Sequence, residues 1–283
     1  MLFDMKRSAG EGSKQDQKSQ TQDTGGAMVK TASYSVIGDR PHQEDAVYIS
    51  SEEESSGELA NRILAVVCDG MGGMTNGGLA SATAIQMLKD AFEQVKQEET
   101  VNIPNFLISG IKSIDKTVYE IPRENDRGSG TTMVAVIIED NQLYWASVGD
   151  SRIYIWHDGA VRQVTRDHNY MMRLQEMVNQ GLLTQEDADF NRQKEALISF
   201  LGIGDVSLMD VNLEPFEMQD GDIVLLSSDG MTKVLSEEQI ADILKEDISV
   251  QEKAEKLVET SVNINVRLQD NTTVAVLQYQ ETK

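Results

Sequence analysis

One cysteine and three histidines are present in 283 residues. A lone thiol, Cys68, excludes an internal disulfide framework and any structural zinc site built on several cysteines. A site of three histidines would require all of His42, His157 and His168. Basic residues are scarce too: 25 Lys and Arg stand against 47 Asp and Glu, for a formal net charge of −22. Affinity for nucleic acid comes largely from Lys and Arg releasing counterions, so a phosphate polymer is not the expected partner. Aromatic residues make up 5% of the chain, too few for a base-stacking platform. No apolar run approaches the ~18 residues of a membrane span. The N-terminus lacks the apolar core of a secretory signal, so the expected location is the cytoplasm, with no membrane partner.

What is present is a globular composition, 40% hydrophobic and 25% charged. A chain of this length buries roughly three quarters of its unfolded surface, and a monomer is expected. Between Lys6 and Gly26 the only apolar residue is Ala9. Burial there cannot offset the entropy of ordering, so residues 1–28 are expected to form a disordered polar tail ahead of one domain at 29–281.

Within that domain, residues 63–68 form a continuous apolar run of the kind found in a doubly buried strand. Apolar residues at helical spacing predict helices over 80–95 and 105–119. Strands are predicted at 131–138, 143–148 and 153–156, and His157-Asp158-Gly159 is a hairpin signal leading into 161–164. An amphipathic helical stretch, broken at Gly181, is expected over about 169–200, with Thr184 and Asp187 marking a helix start. Strands follow at 223–226 and 273–277, and Ser236…Gln239 and Ser249…Glu252 are capping boxes that each open a helix. Antiparallel strands with segregated helices define an α+β class, with two sheets face to face and helices outside.

The carboxylates are the informative feature. Asp69 closes the first buried strand and is followed by Gly70-Met71-Gly72-Gly73. Asp229 follows another apolar run and precedes Gly230-Met231; Asp270 stands before the last strand; Asp150 closes the strand ending at Gly149; Glu44 and Asp45 precede a strand start. Each Asp-Gly alone reads as a turn. Six acids at strand ends can instead be aimed at one point, where their repulsion is relieved by divalent cations. Oxygen-only ligation selects Mg²⁺ or Mn²⁺.

Other chemistries fail on spacing. The Gly-rich stretch 70–78 has no Gly-Lys-Ser/Thr ending, and Thr75 breaks a dinucleotide pattern. Met74 stands six residues after Cys68, where a cysteine phosphatase needs Arg, so Cys68 is expected to be a buried hydrophobe. No Gly-x-Ser-x-Gly elbow is present.

In order along about 250 residues stand Arg40-Pro-His-Gln-Glu44-Asp45, Asp69-Gly70-Met-Gly-Gly73, Ser129-Gly-Thr-Thr132, Gly149-Asp150-Ser-Arg152, Thr165-Arg-Asp-His168, Ser228-Asp229-Gly230 and Gln269-Asp270-Asn271-Thr-Thr273. This series resembles the metal-dependent protein phosphatases, the type 2C Ser/Thr phosphatases, in their bacterial form. The resemblance implies a four-layer αββα sandwich with two Mn²⁺ or Mg²⁺ ions at one end. It implies that Asp69 bridges the ions, that Asp229 and Asp270 complete one sphere, and that the Gly70 carbonyl joins the other. Glu44 and Asp45 would hold metal-bound waters, Asp150 with Asp229 would offer a weaker third-metal position, and Arg40 would grip the substrate phosphate.

Such an enzyme attacks phosphorus directly with a hydroxide shared by the ions, without a covalent phosphoenzyme. Its partners would be phosphorylated proteins and, in opposition, a bacterial Ser/Thr kinase. Animal members carry His after the Asp-Gly where this chain has Met71; the general acid is therefore open, with His42 a candidate beside a metal-bound water. Residues 169–200 correspond to a variable flap, His168 is read as structural, and His157 as solvated. Two other readings remain: a phosphatase-like module that binds phosphoproteins, and a hydrolase of small phosphates.

Overall fold

The computed structural model describes residues 20–24, 27–50, 62–71, 76–122, 128–264 and 268–281. In chain order the first half holds β1 (Gln20–Thr24), β2 (Ala27–Val36), β3 (Asp45–Ile49), β4 (Arg62–Met71), α1 (Asn76–Val95) and α2 (Ile103–Tyr119). The middle holds β5 (Gly130–Thr131), β6 (Met133–Glu139), β7 (Gln142–Val148), β8 (Arg152–His157), β9 (Ala160–Gln163), α3 (Tyr170–Asn179) and α4 (Gln185–Asp189). Then come β10 (Asp210–Val211), β11 (Phe216–Glu217), β12 (Ile223–Ser227), α5 (Asp229–Thr232), α6 (Glu237–Leu244), α7 (Val250–Asn263) and β13 (Thr272–Glu281).

Every strand pairing is antiparallel. One sheet runs β1-β2-β13-β12-β8-β9 and the other β10-β7-β6-β4-β3, with β5 added to β4 and β11 to β7. Three apolar clusters separate four layers. The middle one joins the facing sides of the sheets, with Ile63, Val67 and Val134 meeting Ile153, Val224, Leu226 and Ala275. The second seats Leu88, Phe92, Leu107 and Ile111 of α1 and α2 on the other side of β4 and β6. The third seats Ile240, Leu257 and Val258 of α6 and α7 on β12 and β13. Residues of β4 feed two of these clusters in alternation, which explains why its sequence is apolar without a break. Cys68 is buried in the second, as a small hydrophobe.

Local chemistry sets the boundaries. Asn102 caps α2 by accepting the Asn105 N–H, and both capping boxes form as the spacing predicts, at Ser236 with Gln239 and Ser249 with Glu252. The β8–β9 hairpin turns through Asp158 and Gly159, both at positive φ (51° and 76°), the geometry of a two-residue primed turn. No helix among the described residues is long and apolar enough to cross a membrane.

Three expectations need correction. The tail drawn to residue 28 runs into structure: Gln20–Thr24 pairs with Thr31 through Ala27 as an edge strand, because a backbone ladder needs no apolar side chain. Residues 1–19 lie outside the described residues. The helix expected to reach residue 200 ends at Asp189; the chain returns through turns, and Tyr170 N–H and Ile198 N–H bind Ala196 O and His168 O at 2.8 and 2.9 Å. His157 is partly buried and has partners. Its Nδ1 lies 2.9 Å from Asp222, and its ring stands edge-on to Phe216 with centroids 5.3 Å apart.

Candidate active site

Antiparallel pairing brings the acids to one end of the sandwich. Asp45 opens β3 directly opposite Asp69 near the end of β4, and β7, running the same way as β4, ends just before Asp150. In the other sheet the end of β12 and the start of β13 lie side by side, placing Asp229 and Asp270 at that same end. The loop carrying Arg40 and Glu44 leaves from Val36, which pairs with Thr272.

The Asp69 backbone is held from three sides. Its N–H donates to Thr132 Oγ1 at 3.0 Å, and its carbonyl accepts from Thr132 N–H and Thr131 Oγ1, each at 2.9 Å. Gly70 is required next: a Cβ there would stand 2.2 Å from the Gly77 carbonyl and 2.6 Å from the Glu44 carbonyl. The Gly70 N–H donates to that Glu44 carbonyl at 3.1 Å. Asn271 ties the facing loop down, accepting the Glu44 N–H at 2.7 Å and donating to Ile37 O at 2.8 Å and His42 O at 3.1 Å. Ser228 donates to Asp45 Oδ2 at 2.8 Å. Gly149, at φ +104°, turns the chain into Asp150 and is gripped by buried His168, whose Nδ1 accepts the Gly149 N–H at 3.1 Å. His168 is thus structural, as expected, while His42 is exposed on the Arg40 loop.

The electrostatics are those of a cluster short of positive charge. Burial, then Asp45, Asp229, Asp150 and Asp270, push the Asp69 carboxyl well above the usual carboxylate range. Burial raises Asp45 to about 7 and Asp150 to about 6, with Asp229 adding to both. Buried oxygens of Glu44 (Oε1), Asp45 (Oδ1) and Asp229 (Oδ1) have no hydrogen-bond partner. Among the described residues two cations reach the cluster: Arg40 Nη2 donates to Asp270 Oδ2 at 2.6 Å, and the Lys233 ammonium pairs with Asp229 Oδ2.

The expected convergence is therefore partial. The acids share one electrostatic environment, yet among the described residues no three His, Cys, Asp or Glu side chains are grouped so that they could hold a metal ion. The donor set fits a hard divalent cation nonetheless, being oxygen only, with unpartnered carboxylate oxygens and proton-seeking acids. Ligation would draw Asp270 away from Arg40. Sequence reasoning missed Thr131, Thr132, Ser228, Asn271 and Lys233 as organisers of the site. Only Lys233 left a local signal, four residues after Asp229.

Proton affinity sets a pH dependence. Asp45 and Asp150 titrate at about 7 and about 6 in the folded protein, against about 3.9 in the unfolded chain. Their folded values are the higher ones, so the stability they contribute is complete below about pH 4 and lost as pH rises toward 7. The melting temperature of chelator-treated protein should fall between pH 5 and 7.5, and saturating Mn²⁺ should flatten the slope. A rise over that interval without metal would contradict this electrostatic picture.

This architecture, with acids gathered at one end of a double antiparallel sheet flanked by helices, is that of the PPM phosphatases. Residues 36–264 match the family model described as Protein phosphatase 2C, so the chain belongs to that family, whose enzyme class is protein-serine/threonine phosphatase. The serine/threonine phosphatase stp of Listeria welshimeri is 33% identical over 242 residues, covering 84% of this chain and 91% of that protein. The S. agalactiae serine/threonine phosphatase superposes with a TM-score of 0.75 at 27% identity, covering 88% of this chain and 98% of that one. The catalytic domain of the phosphatase PstP, solved with two manganese ions, gives 0.69 at 28% identity and covers 90% of this chain and all of its own.

Proposed function

We propose that the chain is a Mn²⁺- or Mg²⁺-dependent phosphatase that removes phosphate from phosphoserine and phosphothreonine of cytoplasmic proteins, opposing a bacterial Ser/Thr kinase. The observation that carries this reading is the burial of Asp69 among Asp45, Asp150, Asp229 and Asp270 at one end of the two sheets. The manganese complex of PstP supports it.

Asp69, Asp229 and Asp270, with the Gly70 carbonyl, are the residues that would hold two ions; Glu44 and Asp45 would orient the water around them. Bound cations supply Lewis acidity, activating water and neutralising phosphoryl charge. Arg40 does the chain's own share of that work. It is exposed and its guanidinium already reaches the cluster at Asp270, so it can bind two phosphoryl oxygens in a planar fork and orient phosphorus. The hydrogen bonds that Asn271 and Thr132 accept from the Glu44 and Asp69 N–H groups keep the opposing loops from shifting as substrate charge enters.

Phosphate release from a phosphothreonine peptide and from a sugar phosphate, each measured with Mn²⁺, with chelator and for Asp229→Asn, tests the reading. Peptide turnover should fall at least ~10²-fold in the last two conditions. Equal turnover in all three would sink it. A higher kcat/KM on the sugar phosphate would move the enzyme to small molecules, and Mn²⁺ binding without turnover would make it a binding module.

A further inference from the structure

Asp229 divides its carboxylate. One oxygen, Oδ2, is paired with the Lys233 ammonium; the other, Oδ1, is buried and has no partner. The pairing follows from local geometry. Asp229 opens α5, and the Lys233 N–H closes that single turn on the Asp229 carbonyl at 2.9 Å, so the two side chains rise on the same face. The Lys233 side chain is about half exposed and that of Asp229 only 13%, so the ammonium enters the acidic pocket from its solvent side.

The field of this ammonium reaches further than one carboxylate. Asp150 and Asp69, besides Asp229, lie within its electrostatic reach. Asp150 and Asp229 are the two acids to which the resemblance assigned a weaker third ion. An ammonium and a divalent cation cannot share that space: three positive charges within a few ångströms repel by several kcal/mol, even at the effective dielectric of a protein surface.

Resting on the metal-dependent reading above, we infer that Lys233 is a resident cation of the cluster, occupying the Asp229–Asp150 side in place of a third divalent ion. The chain then takes two divalent ions and not three. Asp229 serves both, Oδ1 toward the divalent ions and Oδ2 toward Lys233. Lys233 is a positioning residue, holding the Asp229 carboxylate in one orientation.

Mn²⁺ counting by equilibrium dialysis and by the electron paramagnetic resonance of free Mn²⁺ tests this on the full chain, as wild type, Lys233→Gln and Lys233→Arg. Wild type and Lys233→Arg should hold two ions; Lys233→Gln should hold a third, with a dissociation constant in the millimolar range or tighter. Melting curves in chelator establish that each variant is folded, and the Arg variant separates loss of charge from loss of the side chain. A third ion in wild type, or only two in folded Lys233→Gln, would overturn the inference. A wild-type chain that binds no Mn²⁺ would instead remove the metal-dependent reading beneath it.

Discussion

Asp69→Asn should reduce Mn²⁺-supported turnover of a phosphothreonine peptide by at least ~10³-fold, a loss of about 4 kcal/mol of transition-state stabilisation, while making the chelator-treated protein more stable. The two effects share one cause. Asp69 is buried opposite Asp45 and within the fields of Asp150, Asp229 and Asp270, so its charge opposes folding whenever no cation balances it. An amide keeps the shape and removes that repulsion. The gain should be about 1 kcal/mol or more, roughly 2 °C in melting temperature for a chain of this size. With Mn²⁺ present the order should reverse, because wild type alone retains full ion binding. Turnover within tenfold of wild type would show that Asp69 does not hold the ions, and an unstabilised apo variant would show that the cluster is not strained by charge.

Asp115→Ala should destabilise the fold by about 3–5 kcal/mol, the range for stranding buried groups that had a charged partner. Asp115 lies on α2, fully buried, and its carboxylate accepts three backbone N–H groups: Gly202 at 2.8 Å, Gly204 at 3.1 Å and Val206 at 3.0 Å. Those donors belong to the strap that leaves the flap. Gly202 and Gly204 have φ of 102° and 95°, a conformation other residues resist, so the strap depends on this clamp to keep its path. Immediately before it, Leu201 exchanges hydrogen bonds with Thr131, which in turn holds the Asp69 carbonyl. A melting temperature lowered by about 10 °C is expected. Asp115→Asn, with one acceptor oxygen left, should lose less. A change below about 1 kcal/mol in the Ala variant would mean that water replaces the carboxylate.

Much of the fold was legible because its signals are local. Helix starts at Ser236 and Ser249 are written within four residues, the hairpin at Asp158-Gly159 within two, and the buried β4 within one apolar run. The strand of Gln20–Thr24 was not, since its pairing is a backbone property invisible to apolar patterning. The end of α4 at Asp189 was missed for a related reason: the amphipathic pattern continues, but hydrogen bonds with His168 and Tyr170 capture the returning chain.

For the site, residue type and place along the chain identified Asp45, Asp69, Asp150, Asp229 and Asp270, because acids beside glycine at the ends of apolar strands have few inexpensive structural roles. How these groups are held depends on partners far apart in sequence. Thr132 reaches Asp69 across 63 residues, Ser228 reaches Asp45 across 183, and Asn271 reaches Glu44 across 227. Side-chain hydrogen bonds of that kind leave no periodic trace, since any Thr, Ser or Asn of similar size reads alike until the strands bring it to its acceptor. Composition and pattern thus specified an oxygen-rich, acidic centre on an α+β scaffold. Packing of the two sheets selected which neutral groups fasten it and set Arg40 and Lys233 against its carboxylates, because charge balance in a buried cluster is a property of distances, and distances exist only once the chain has folded.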